Sequence, residues 1–311
     1  MSHLPVHKIC RRGFLSVLAG MAASGCAGGR ADGAGADASR GVGREVAVGP
    51  VDRFFTASDG VRLHYVEAGG GPDTIVLVPG WLMPAAVFEP QWKGLSKQFR
   101  VIAFDPRSQG RSEVFKGRHT PERRSLDLKE LLVAADVERC VLGGWSLGVM
   151  EVLDFLAKHQ PQQIRGLVLI DNSIGEGRPP APSKPDSGPP PRNRAERMRS
   201  FALSLTKKPM EERMLEAVFQ SAMRVPEGAA SELLHKPFPR EYWRDTLLAQ
   251  RVPVLYAIRP RFSEQGAALV AKRPGLARVE VFPAAGHALF LDEPTRFNSV
   301  VSTFAQGAFR R

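Results

Sequence analysis

Five residues, Gly144-Trp145-Ser146-Leu147-Gly148, hold a hydroxyl between two positions that carry no side chain. A serine kept on a sharp strand-to-helix bend with its Oγ exposed needs such neighbours, because a Cβ on either side would crowd the turn. The surroundings fit: RCVL (139–142) before it reads as a strand, and VMEVLDFLAKH (149–159) after it reads as a helix. Ser146 is therefore expected at the carboxyl edge of a sheet, with a helix N-terminus behind it to stabilise developing negative charge. A serine hydroxyl is a weak nucleophile until a base takes its proton. AAGHALFLDEP (284–294) offers that base as His287, between the apolar run ARVEVFP (277–283) and a helix opening around Asp292 to Pro294. His64, His119, His159 and His235 have no comparable setting and read as surface or hydrogen-bonded structural residues. No pair of histidines has metal-ligand spacing, and chemistry on an activated hydroxyl needs neither a metal nor an organic cofactor.

The elements that must position these residues follow from the apolar pattern. FFTASDGVRLHYVEAG (54–69) gives two alternating strands around the turn signal Ser58-Asp59-Gly60. Further strands are expected at 74–80, 99–106, 139–146, 166–173, 252–260 and 277–283, with helical patterns at 125–136 and 147–159 among them. Near-continuous apolar strands separated by amphipathic helices imply a mostly parallel sheet covered on both faces. One connection, 172–250, is far too long for a simple crossover. It starts with the Pro-rich GRPPAPSKPDSGPPPRNR, where proline forbids helix and central strand. Beyond that, Met210, Met214, Leu215, Val218, Phe219 and Ala222 recur at helical spacing, which predicts a helical cap inserted into the sheet domain.

The 311 residues and their 43% hydrophobic content suffice for one large α/β domain with an insertion. The net charge of +11 is spread along the chain and lacks the clustering with aromatics that a nucleic-acid groove requires. Part of it sits in HKICRRGFLSVLAGMAASGC (7–26). There the pair Arg11-Arg12 precedes an apolar stretch, Phe14 to Ala23, that is too short to span a bilayer. Residues 1–25 are thus expected to be an export signal, and RRGFL resembles the twin-arginine motif of proteins exported already folded. Its removal takes Lys8, Arg11 and Arg12 and leaves a charge of +8. Ala23-Ser24-Gly25-Cys26 loosely resembles a bacterial lipoprotein box; on that reading Cys26 is lipidated and tethers the chain to a membrane. Ordinary cleavage nearby without a lipid is the alternative. The Gly/Ala/Asp-rich stretch that follows makes 26–49 a flexible linker. The three cysteines, Cys10, Cys26 and Cys140, offer the mature chain no intrachain disulfide framework.

Taken together, GWSLG (144–148), GHALFLDEP (286–294) and FDPRSQGRS (104–112) make residues 50–308 resemble an α/β-hydrolase, and GWSLG is also similar to small bacterial carboxylesterases. The resemblance implies a core from 50–171 and 251–311, with 172–250 as Pro-rich segment and cap. It also implies an oxyanion hole from the backbone N–H groups of Leu147 and Trp81. Pro79-Gly80 stands where that family usually has His-Gly, a change that leaves the Trp81 donor in place.

For the third catalytic group the pattern departs. Most of the family carries an acid just past the strand matching VPVLYAI (252–258), but here that register holds Arg259 to Phe262. Asp171 is the expected acid and Glu264 the alternative. Asp171 ends the strand after the Ser146 unit, on the same sheet edge, and keeps the order Ser146, Asp171, His287. Glu264 lies two residues beyond Phe262, in the first turn of a helix. The expected function is a bacterial, exported serine hydrolase acting on a carboxylic ester or related acyl compound. A non-catalytic binding protein on the same fold, and a carbon–carbon-bond hydrolase or lyase on the same three residues, are the alternatives.

Overall fold

The computed structural model describes residues 47–177, 191–235 and 237–311. The expected export signal, Cys26, nearly all of the linker and most of the Pro-rich run lie outside these residues. Eight strands form one sheet: β1 (Ala47–Thr56), β2 (Arg62–Gly69), β3 (Asp73–Val78), β4 (Arg100–Asp105), β5 (Arg139–Trp145), β6 (Ile164–Ile170), β7 (Val254–Ile258) and β8 (Ala277–Val281). Their order is β1-β2-β4-β3-β5-β6-β7-β8. β1 and β2 form an antiparallel hairpin that pairs Thr56 with Arg62, and β2 runs antiparallel to β4. All later pairings are parallel. β1 starts at Ala47, so the last residues of the expected linker already pair with β2.

The helices among the described residues are α1 (Glu89–Leu95), α2 (Pro121–Ala134), α3 (Leu147–His159), α4 (Arg194–Leu203), α5 (Glu212–Arg224), α6 (Glu227–Leu233), α7 (Arg240–Ala249), α8 (Ser263–Lys272), α9 (Leu289–Asp292) and α10 (Pro294–Phe309). Side chains alternate across each strand, and two cores result. Ile75, Val101, Val141, Val168 and Leu255 face α1 and α10, while Val76, Ile102, Leu142, Leu167 and Tyr256 face α2, α3 and α8. This two-sided burial is why the strands read as unbroken apolar runs. Cys140 belongs to the second core, and complete burial pushes its thiol up to about 12, so it has no thiolate chemistry to offer.

Between β6 and β7 the chain leaves the sheet as α4 to α7. Met214, Leu215, Val218 and Ala222 of α5 are buried in the same core as Val87 and Phe88, so the methionine-bearing face packs the insertion onto its base. α7 behaves differently: Trp243 and Leu247 join the second core beside α3. The helical cover over the sheet edge is therefore α4 to α6, and α7 returns the chain to the layer.

Candidate active site

The sheet reverses its direction of travel between β3 and β5, and the crevice at such a point is where open α/β sheets place their ligands. β5 ends there, and α3 begins one residue later. The residue between them, Ser146, has φ 54° and ψ −118°, outside the regions an L-residue ordinarily occupies. The glycines make this bend possible. A Cβ on Gly144 would strike the Gly148 carbonyl, and one on Gly148 would strike the carbonyls of Val78 and Pro79. The bend is also tied from the next strand, where Asn172 Nδ2 donates to the Ser146 carbonyl at 2.7 Å.

His287 meets Ser146 from the loop after β8, with Nε2 2.9 Å from Ser146 Oγ. Three bonds fix that loop. Trp145 Nε1 donates to the His287 carbonyl at 2.9 Å, and Ala288 N donates to the Leu205 carbonyl at 2.7 Å. Gly286 N donates at 2.7 Å to Asp292, a buried carboxylate that also accepts from the backbone of Lys207 and Lys208. Trp145 is thereby a buried support rather than a pocket wall, and the indole of Trp81 donates to the Ala230 carbonyl at 2.8 Å.

The two acid candidates separate cleanly. Asp171, just past β6 at φ 46°, places Oδ2 2.6 Å from His287 Nδ1, and its side chain is fully buried. Glu264 is exposed in the first turn of α8 and makes no contact with His287. The neighbouring-strand position thus carries the carboxylate that touches the imidazole. Leu147 is the first residue of α3, so its N–H has no carbonyl of that helix to pair with. Across β5, a Cβ on Gly80 would lie 3.1 Å from Ser146 Cβ, which puts the Pro79-Gly80-Trp81 loop against the serine.

One contributor was missed at the level of sequence. Arg259, in the register where a family acid is usual, binds the Asp171 carboxylate twice: its backbone N–H donates to Oδ1 at 3.0 Å and its Nε to Oδ2 at 2.7 Å. Its Nη2 lies 3.3 Å from His287 Nδ1. An ionised carboxylate only accepts, so the short Asp171 contact assigns the Nδ1 proton to that bond, and Arg259 Nη2 faces an N–H it cannot bond. The signal was present as an acid position filled by a cation. Tyr256 completes the surroundings, its hydroxyl donating to the Asn172 carbonyl at 2.7 Å. Burial, then the nearby Asp171 charge, pushes that phenol well above its ordinary range and keeps it a donor. We expect Arg259→Met to lower kcat on the order of tenfold with KM little changed, and Arg259→Lys to restore part of the loss. A KM effect without a kcat effect in steady-state kinetics would contradict this positioning role.

The remaining histidines lie apart from this cluster. His64 is buried between Asp105 and Asp52, and His119 is buried against Ser108 Oγ. Among the described residues no group of three His, Cys, Asp or Glu side chains is placed to hold a metal ion. No helix among them is long and apolar enough to cross a membrane.

A doubly covered, mostly parallel sheet with a Ser–His–Asp contact chain at its carboxyl edge and helices inserted above it defines a hydrolase of the α/β type. The chain belongs to the alpha/beta hydrolase family, whose model matches residues 75–300. It is 37% identical over 134 residues to serine hydrolase BPHL of Homo sapiens, a match covering 39% of this chain and 45% of that one. The chain thus spans less than half the length of that relative. It is 25% identical over 255 residues to AB hydrolase superfamily protein YisY of Bacillus subtilis (strain 168), covering 78% of this chain and 94% of the relative. Among solved structures it is similar to a thermophilic esterase from Thermogutta terrifontis, with a TM-score of 0.64, 25% identity, and 83% and 98% of the two chains covered.

Proposed function

We propose that this hydrolase cleaves a carboxylic ester or related acyl substrate through an acyl-enzyme formed on Ser146. The observation that carries the reading is the unbroken chain from Ser146 Oγ to His287 Nε2 at 2.9 Å and from His287 Nδ1 to Asp171 at 2.6 Å. His287 takes the hydroxyl proton as Ser146 attacks the carbonyl, and the oxygen of the tetrahedral intermediate is held by the N–H groups of Leu147 and Trp81. The proton then passes to the leaving alcohol. His287 next draws a proton from water, which attacks the acyl-enzyme and frees the acid and the serine. Asp171 holds the tautomer that leaves Nε2 unprotonated and stabilises the imidazolium that forms. The esterase among the structural neighbours supports the same substrate class.

The twin arginine at Arg11-Arg12 and the short apolar run after it support export in the folded state, with Cys26 as the residue that would carry a lipid tether. A fluorophosphonate tests the chemistry. The expected result is one label per chain, located by peptide mapping on Ser146, together with hydrolysis of p-nitrophenyl esters. A folded chain that takes no label and hydrolyses no ester is a binding protein on this fold, and the reading fails.

A further inference from the structure

A cavity of 760 Å³ lies apart from the reacting groups, and neither Ser146, Asp171 nor His287 lines it. It opens between the β1–β2 hairpin, the turn at Pro84–Ala86 and helix α5. Its size falls within the range of small-molecule sites, and it is a half-open cleft rather than a closed void. Small side chains contribute to its lining: Ala217 from α5, and Ala85 and Ala86 from the turn after β3. Val66, Trp92 and Met223 complete an apolar wall. The deeper polar groups already have partners, since His64 bonds to Asp105 and Ser221 Oγ donates to the Leu82 carbonyl at 2.8 Å.

The charge lies at the rim. Arg111 pairs with Asp52, while Lys93 and Arg213 share Glu89. Arg224 is exposed at the same rim and pairs with no carboxylate among the described residues; its Nη1 donates to the Gly110 carbonyl. An apolar chamber with one uncompensated guanidinium at its edge suits a molecule with a hydrocarbon body and an anionic end, since a guanidinium binds a carboxylate by strong, charge-assisted hydrogen bonds.

We propose that this cavity is a second ligand site that takes an anionic amphiphile, its chain along the alanines and Trp92 and its carboxylate on Arg224. Trp92 provides the readout, because bromine quenches indole fluorescence on contact. The mature protein, first phosphonylated at Ser146 to occlude the reacting site, is titrated with 11-bromoundecanoate. The expected result is saturable quenching that Trp92→Phe removes and that needs about tenfold more ligand in Arg224→Gln. Ala217→Phe, which sets a ring into the chamber and narrows it, weakens the quenching in a chain whose melting temperature is retained. Quenching that persists in Trp92→Phe, equal affinity in wild type and Arg224→Gln, or no saturable quenching overturns the site. If Ala217→Phe does not fold, the other two variants still decide. A chain that refuses the phosphonate is titrated without it, so failure of the acyl-transfer reading leaves this result independent.

Discussion

Ser146→Ala is expected to lower ester turnover on the order of 10⁶-fold, because removing the nucleophile of a serine triad costs about as much as removing the whole set. The melting temperature should stay close to that of the parent. The Ser146 side chain makes one hydrogen bond among the described residues, to His287 Nε2, and the unusual backbone geometry at φ 54° is imposed by the glycine-flanked bend rather than by the hydroxyl. Alanine meets the same strain and differs only by the missing oxygen. Initial rates on a p-nitrophenyl ester, read beside thermal melts of both proteins, check the pair of expectations. Turnover that survives within a hundredfold of the parent would place the nucleophile elsewhere and remove the basis of the acyl-enzyme.

The second large effect is at Asp171. Asn there keeps the shape but can turn an NH₂ toward His287 Nδ1, which drives the imidazole proton to Nε2 and leaves no base facing the serine. Loss of the His-orienting carboxylate in such triads costs about 10⁴ in kcat, and Asp171→Asn should fall in that range. Glu264→Gln, at an exposed residue of α8 with no contact to His287, should stay within about twofold. Asp171 is fully buried against Arg259, whose side chain keeps 25% of its exposure, so water can reach the guanidinium once its counter-charge is gone. Asp171→Asn is therefore expected to fold and melt only modestly lower, which separates the kinetic loss from unfolding. The opposite ranking of the two variants in kcat would transfer the acid role to Glu264.

Much of this was legible in the chain because the signals are local. Alternation around Ser58-Asp59-Gly60 gives the hairpin, and two-sided apolar runs give the buried parallel strands. GWSLG demands its bend on steric grounds alone. The helical spacing of Met214, Leu215, Val218 and Ala222 announces the packed face of α5. Pairing across long separations was legible only in part. Asp171 was the favoured partner of His287, 116 positions away, from its place at the end of the strand after the Ser146 unit. Its contact with Arg259, 88 positions away, was missed, because the spacing of residues along a chain does not state which side chains meet across neighbouring strands. For the same reason the return of α7 onto α3 was not visible: Trp243 and Leu247 are apolar at helical spacing whichever surface they cover.

By itself the sequence determined the layered α/β architecture, the strained serine and the late histidine loop, since each depends on backbone sterics and periodicity within a few residues. The tertiary structure decided which carboxylate meets the imidazole. Parallel pairing sets the ends of β5, β6 and β7 side by side, and only there do a buried Asp171, the Arg259 charge that compensates it and the ring of His287 come within hydrogen-bond reach. It also brought residues of the β1–β2 hairpin, the turn after β3 and α5 around one chamber that no linear pattern foretells.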